Sequence, residues 1–173
     1  YLMQAVAPHL PSQSDNYGPF KLFSDDLRPG NVLVDDSLQL KAVIDWEFCY
    51  TAPAQFAGSL PWWLILERPH KVLNNQGPEA FLDAYIPKVN LFLQAMEQRE
   101  KAKGMDAMSD RLSARMRQSL ENKSVWFNLV CRMVSSVDLI YWDLLDEFCW
   151  GPRSSIAERV HNFTSNVEMH RCR

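Results

Sequence analysis

Asp26 stands five positions before Asn31, and Asp45 follows fourteen residues after that. A carboxylate, an amide and a second carboxylate at this spacing suit phosphoryl transfer. There, one Asp receives or orients the proton of an attacking hydroxyl. An Asn holds a divalent cation, and a second Asp holds metal that bridges nucleotide phosphates. Residues 21–48 carry six carboxylates against Lys21, Arg28 and Lys41. That acidic balance suits Mg²⁺, a hard cation that prefers oxygen ligands and keeps some of its waters. Asp25 adjoins Asp26 and offers the same group, but the five-residue step to Asn31 favours Asp26.

These residues need elements to bring them together. Phe20 to Phe23 is a short apolar run, followed by a polar loop over residues 24–30. Residues 31–34 and 38–44 are β-branched-rich runs joined by Asp35-Asp36-Ser37, which predicts a hairpin. The hairpin places Asn31, at the start of one strand, near Asp45, at the end of its partner, and Pro29-Gly30 shapes the loop so that Asp26 faces the same cavity.

Beyond an irregular, aromatic stretch punctuated by Pro53, Pro61 and Pro69, the period becomes helical. Gly77-Pro78-Glu79 opens a helix whose apolar face runs from Phe81 through Tyr85, Val89 and Leu93, and Pro87 predicts a kink or break. A basic amphipathic segment covers residues 106–123, with Arg111, Arg115, Arg117 and Lys123 read as an exposed face. One long helix is predicted over residues 124–149, stopped by Gly151-Pro152. Ser155-x-x-Glu158 is a capping box that starts a last helix. The fold class is therefore α+β and mostly helical. The chain, 1–173, forms one domain with the catalytic loop and metal-binding hairpin at 20–48 and a helical subdomain at 77–170.

Composition agrees with a chain that buries a core: 47% hydrophobic, 12% aromatic and 23% charged, with a net charge of −3. A collagenous or disordered chain is excluded, and no broad basic field points to nucleic acid. The longest nearly uncharged apolar stretch, residues 60–66, is far short of the ~20 residues that span a bilayer. Cysteines at 49, 131, 149 and 172 form no C-x-x-C pair. Cys49, Cys131 and Cys149 lie in apolar stretches and read as core thiols of a cytoplasmic protein. His9, His70, His161 and His170 show no ligand spacing.

With these motifs in place, S-D-D-L-R-P-G-N-V-L-V-D followed by A-V-I-D-W-E-F resembles the aminoglycoside phosphotransferase and choline kinase-like family, particularly its fungal members. The likeness extends from about Phe20 to Pro69 through A-P-A-Q-F and P-W-W-L-I-L-E-R-P. It implies a protein-kinase-like C-terminal lobe, ATP and Mg²⁺ as cofactors, and a small-molecule hydroxyl as acceptor. Asp26 then matches the catalytic Asp. Asn31 and Asp45 match the residues that hold metal and, through it, the nucleotide. The family usually carries His where Ser24 stands and often a second His where Arg28 stands, so both are candidate supporting groups. Glu47 is either a neighbour of the metal or a carboxylate bonded to nearby backbone. Trp62-Trp63 either stacks on a substrate or, the favoured reading, plugs the hairpin against the helices. Relatives bind amine-bearing substrates with acidic groups from the helical lobe, which makes Asp143, Asp146 and Glu147 a candidate cation site. A solvated acidic helix face is the competing reading.

A kinase also needs a Gly-rich loop and a Lys–Glu pair from an N-terminal lobe. No G-x-G occurs, and the residues before Asp26 are too few for that lobe. The chain is thus expected to be a C-terminal lobe, inactive alone, with a catalytically dead interaction module as the alternative.

Overall fold

The computed structural model describes residues 2–11, 15, 17–105, 107, 111–153 and 155–165. Cys172, His170, Asp106 and Asp110 lie outside the described residues.

Four short strands carry the loop. β1 (Phe20–Ser24) pairs antiparallel with β4 (Cys49–Pro53), in a register that sets Ser24 opposite Cys49. Between them, β2 (Val32–Val34) pairs with β3 (Leu40–Val43), with an irregularity between Leu33 and Val34. This inner pair is the predicted hairpin. β4 was not predicted, because C-Y-T-A-P shows no clear alternation and ends in proline. The hairpin turn is built by Asp35, whose carboxylate accepts hydrogen bonds from the Ser37 and Gln39 N–H groups at 3.0 and 2.9 Å. Such Asx turns are why Asp is favoured there. Lys41, 2.8 Å away, and the Gln39 N–H hold the Asp35 carboxyl below its usual range.

The helices supply the core. The single turn α2 (Ala54–Ala57) packs on β1 and β4, α1 (Leu2–Val6) puts Val6 into the helical core, and α3 (Pro69–Ala102) is the longest element. Its backbone turns at Gly77, where φ is +83° and ψ 173°, so the residue before Pro78 separates two helical runs. The expected helix start is thus present, with an additional helical run from Pro69 ahead of it. Pro87 does not break the helix as expected: no non-helical backbone angle occurs there. Phe81, Tyr85, Val89 and Leu93 are buried, as their 3.6-residue spacing requires. Phe81 stacks on Tyr85 at 5.3 Å between ring centroids, and both rings meet Trp126. Each such side chain contributes about 1.5–3 kcal/mol by burial.

α4 (Leu112–Glu121) and α5 (Ser124–Arg132) follow. The single long helix expected over residues 124–149 is instead broken. After α5 come a 3-10 turn (Val134–Ser136), α6 (Val137–Ile140), a π-helical segment (Tyr141–Leu145) and α7 (Asp146–Trp150). A continuous apolar stripe could not report this, since inserting one extra residue per turn rotates the face only locally. Phe148, near the end of this stretch, is exposed. Gly151, at φ +77°, ends α7. Ser155 Oγ then accepts from the Glu158 N–H at 3.1 Å at the start of α8 (Ile156–Ser165), as a capping residue should.

The basic segment is not a free field. Arg115 pairs with Asp15, Arg117 with Glu97 at 2.6 Å, and Arg111 donates to the Met105 carbonyl. Cys131 is exposed rather than a core thiol; Cys49 and Cys149 are half-buried. No described helix is long and apolar enough to cross a membrane.

The two sheets contribute little to the core. Leu22, Leu33, Leu38, Leu40, Ile44 and Phe48 are all exposed, several more than half. Isolated exposed apolar residues are ordinary, but a run of them on and beside adjoining strands is the composition of an interaction surface.

Candidate active site

Pro29 opens a 3-10 turn, Pro29–Asn31, closed by the Asn31 N–H on the Arg28 carbonyl at 2.9 Å. Pro fits this first-turn position because its fixed φ suits it and no N–H is lost. The turn buries Asn31, whose side chain is the hub of the site. Its Nδ2 donates to the Asp26 carbonyl at 2.8 Å, to Asp26 Oδ2 at 3.0 Å and, more weakly, to Asp45 Oδ2 at 3.4 Å. The hairpin makes the last contact possible: the Ile44 N–H bonds the Asn31 carbonyl at 2.9 Å, closing the pair. Asp45 then sits at φ +63°, a left-handed conformation that Asp tolerates better than most residues. Trp46 Nε1 donates to the Val43 carbonyl at 2.7 Å and holds the bend.

Asp26, Asn31 and Asp45 are therefore gathered at one place. Asp25 is not among them. Its carboxylate is held by Arg132 Nε at 2.7 Å and accepts from the Tyr50 hydroxyl at 2.9 Å. Its carbonyl accepts from Trp62 Nε1 at 3.2 Å. Arg132 is nearly buried and lies over the Phe23 ring at 4.7 Å. Asp25 thus clamps the loop to α5 while the next residue faces the metal-ligand candidates. The sequence reading missed Arg132 and Tyr50. The available signal was a lone Arg at the end of an otherwise apolar helix.

Arg28 Nε contacts both Asp26 oxygens, at 3.2 and 3.3 Å, with its own side chain 44% exposed. Ser24 is half-buried at the end of β1, and Glu47 is exposed. Trp62 ties to the loop while Trp63 packs edge-on against Phe92 at 6.0 Å, so the pair splits its roles between site and core.

Asp143, Asp146 and Glu147 do not form one acidic face. Asp146 is fully buried and neutralised by Arg153 at 2.7 Å and Arg159 at 3.3 Å, with the Tyr141 hydroxyl donating at 3.2 Å. Asp143 is half-buried, which pushes its carboxyl pKa up, and Glu147 is exposed. The expectation of a three-carboxylate cation site is corrected accordingly: the π-helical segment turns the middle carboxylate inward.

Burial first, then the hydrogen bond to Asp25, pushes the Tyr50 pKa up to about 12. A pKa raised above the ordinary ~10 means the neutral hydroxyl stabilises the fold fully below that pH, and the contribution is lost as pH rises towards 12. Tyr50→Phe is expected to remove a component near pH 12 from the phenolate absorbance titration. An unchanged titration curve would show that Tyr50 is not so held.

No group of three or more His, Cys, Asp or Glu side chains able to hold a metal occurs among the described residues. The donors that are present fit Mg²⁺ nonetheless. Asn31 Oδ1 and Asp45 Oδ1 make no hydrogen bond among the described residues, and this cation commonly uses one or two carboxylates plus phosphates and waters.

A strand-borne loop with this set of groups suits phosphoryl transfer. Residues 2–57 match the family described as phosphotransferase enzyme family (APH), a stretch that contains Asp26, Asn31 and Asp45. The match covers about a third of the chain and supports the resemblance to the aminoglycoside phosphotransferase family. No curated protein and no solved structure matches the chain.

Proposed function

We propose that this chain is the C-terminal, kinase-like lobe of an ATP-dependent phosphotransferase of fungal type, acting in the cytoplasm on a hydroxyl of a small molecule. The single observation that carries the reading is the convergence of Asp26 and Asp45 on the buried Asn31 amide. Asn31 and Asp45 would hold Mg²⁺. When bound, the ion neutralises charge on the nucleotide phosphates. Asp26 accepts or orients the proton of the acceptor hydroxyl. The hydroxyl oxygen bonds to the γ-phosphorus, the bond to the bridging oxygen breaks, and ADP leaves with that electron pair. Asn31 fixes Asp26 by two hydrogen bonds, one to its carboxylate and one to its backbone carbonyl, so the base is aimed before the acceptor arrives.

The exposed apolar residues on β1 to β3 support a second lobe lying against this face, and the chain has no G-x-G of its own to cradle phosphates. A catalytically silent interaction module is the second reading. It is favoured by Arg28, which occupies the Asp26 carboxylate.

The test is functional complementation. The 173-residue chain alone is expected to bind ATP–Mg²⁺ weakly and to transfer no phosphate, and joining it to a nucleotide-binding lobe is expected to produce transfer. Robust transfer by the chain alone would contradict the two-lobe reading. Tight binding of a protein partner with no transfer from any joined form would favour the silent module.

A further inference from the structure

A cavity of about 830 Å³ opens beside Asp26, walled by Trp62 and Phe48 and by the start of α3. Its charged groups are unevenly committed. Asp25 is neutralised by Arg132, and Asp26 is paired with Arg28. Arg28, already resting on Asp26, stands around the same space with Arg68 and Lys71, and Glu67 is the remaining carboxylate of the lining. Arg68 lies over the Trp62 ring at 5.2 Å, and neither Arg68 nor Lys71 forms an ion pair among the described residues. Lys71 is in the first turn of α3, where the positive end of the helix adds to its charge.

We propose that this cavity binds the acceptor and that the acceptor is an oxyanion-bearing polyol, such as a hydroxy acid or a sugar phosphate. The proposal rests on the phosphotransfer reading and names the substrate class for it. An amine-bearing acceptor would meet Arg28, Arg68 and Lys71 as like charges, whereas a carboxylate or phosphate meets them as partners. The flat Trp62 face beside them accepts the carbon skeleton. Arg28 links the two functions. Its guanidinium rests on Asp26, and it fills the space that a Cβ on Gly30 would occupy, at 2.7 Å from Nη1. An incoming oxyanion draws the guanidinium to itself and leaves the Asp26 carboxylate free for the hydroxyl. The Ser24 and Arg28 departures from the family's usual His residues are then consistent with a changed acceptor charge.

The chain itself can be tested by NMR, following the Trp62 indole N–H during titration with gluconate, glucose 6-phosphate, glucosamine and inorganic phosphate. The two anionic polyols, or one of them, are expected to shift this resonance at millimolar concentration. Arg68→Ala with Lys71→Ala is expected to weaken them by about tenfold or more, and added salt to weaken them further. Both side chains are exposed, so the double variant keeps its fold. A response to gluconate alone or to glucose 6-phosphate alone identifies the oxyanion and supports the proposal. Binding of glucosamine without the anions overturns it. So does anion binding untouched by the double variant, or inorganic phosphate binding as tightly as either polyol. Mn²⁺ broadening at Asn31 and Asp45 is read separately. Its loss with anion binding intact would remove the phosphotransfer reading and leave the pocket standing, while the reverse would remove only the acceptor class.

Discussion

Asp26→Ala is expected to lower phosphotransfer by about 10²–10⁴-fold in a protein that joins this chain to a nucleotide-binding lobe, the usual contribution of a general base. The fold should barely notice. Asn31 Nδ2 keeps its 2.8 Å bond to the residue 26 carbonyl, which alanine retains. The lost ion pair to Arg28 is half-exposed and is worth less than about 1 kcal/mol. Asp25→Ala should do the opposite. It removes the partner of the nearly buried Arg132 and unties Tyr50, which costs stability of about 1–3 kcal/mol. Rates from single-turnover assays and midpoints from urea unfolding separate the two. If Asp25→Ala stops the reaction without loosening the fold, and Asp26→Ala leaves the rate intact, the assignment of the base is reversed.

The second large effect concerns stability. Asp146→Ala is expected to cost about 3–5 kcal/mol, the range for removing one partner of a buried ion pair. The carboxylate has no exposed surface and is shared by two arginines and the Tyr141 hydroxyl, so its loss leaves both guanidiniums short of a counter-charge. Arg153 and Arg159 keep partial exposure, which places the cost towards the lower end. Asp146→Asn preserves shape while removing the charge and should fall between. Urea unfolding measures both. A cost below about 1 kcal/mol would mean that the buried cluster is not a structural brace.

The loop was legible in the sequence because its chemistry is local. Proline, glycine and aspartate fix the turn, and β-branched runs fix the hairpin. The distance from Asn31 to Asp45 then follows from antiparallel pairing. The faces of α3 were legible for the same reason, as period fixes which side is buried. What was not legible depends on contacts far apart in the chain. Arg132 reaches Asp25 across 107 positions, and no spacing rule connects them. Asp146 sits three residues from Asp143, which on a regular helix gives one face. The π-helical segment that contains Asp143 breaks that geometry, and nothing in Y-W-D-L-L announces it. The exposure of the apolar side chains along the sheets was not legible either, because hydrophobicity alone does not say which residues stay uncovered.

The central claim is that Asn31 and Asp45 form a metal site for phosphoryl transfer, and Mn²⁺ in place of Mg²⁺ tests it most directly. Paramagnetic broadening of backbone amides is measured with Mn²⁺ and ADP present. The account predicts selective loss of signal around residues 26–31 and 44–46, abolished by Asp45→Asn while the amides of the Asp35 turn stay sharp. Broadening centred on Asp35 and Asp36, or a response at the loop that survives Asp45→Asn, would contradict it.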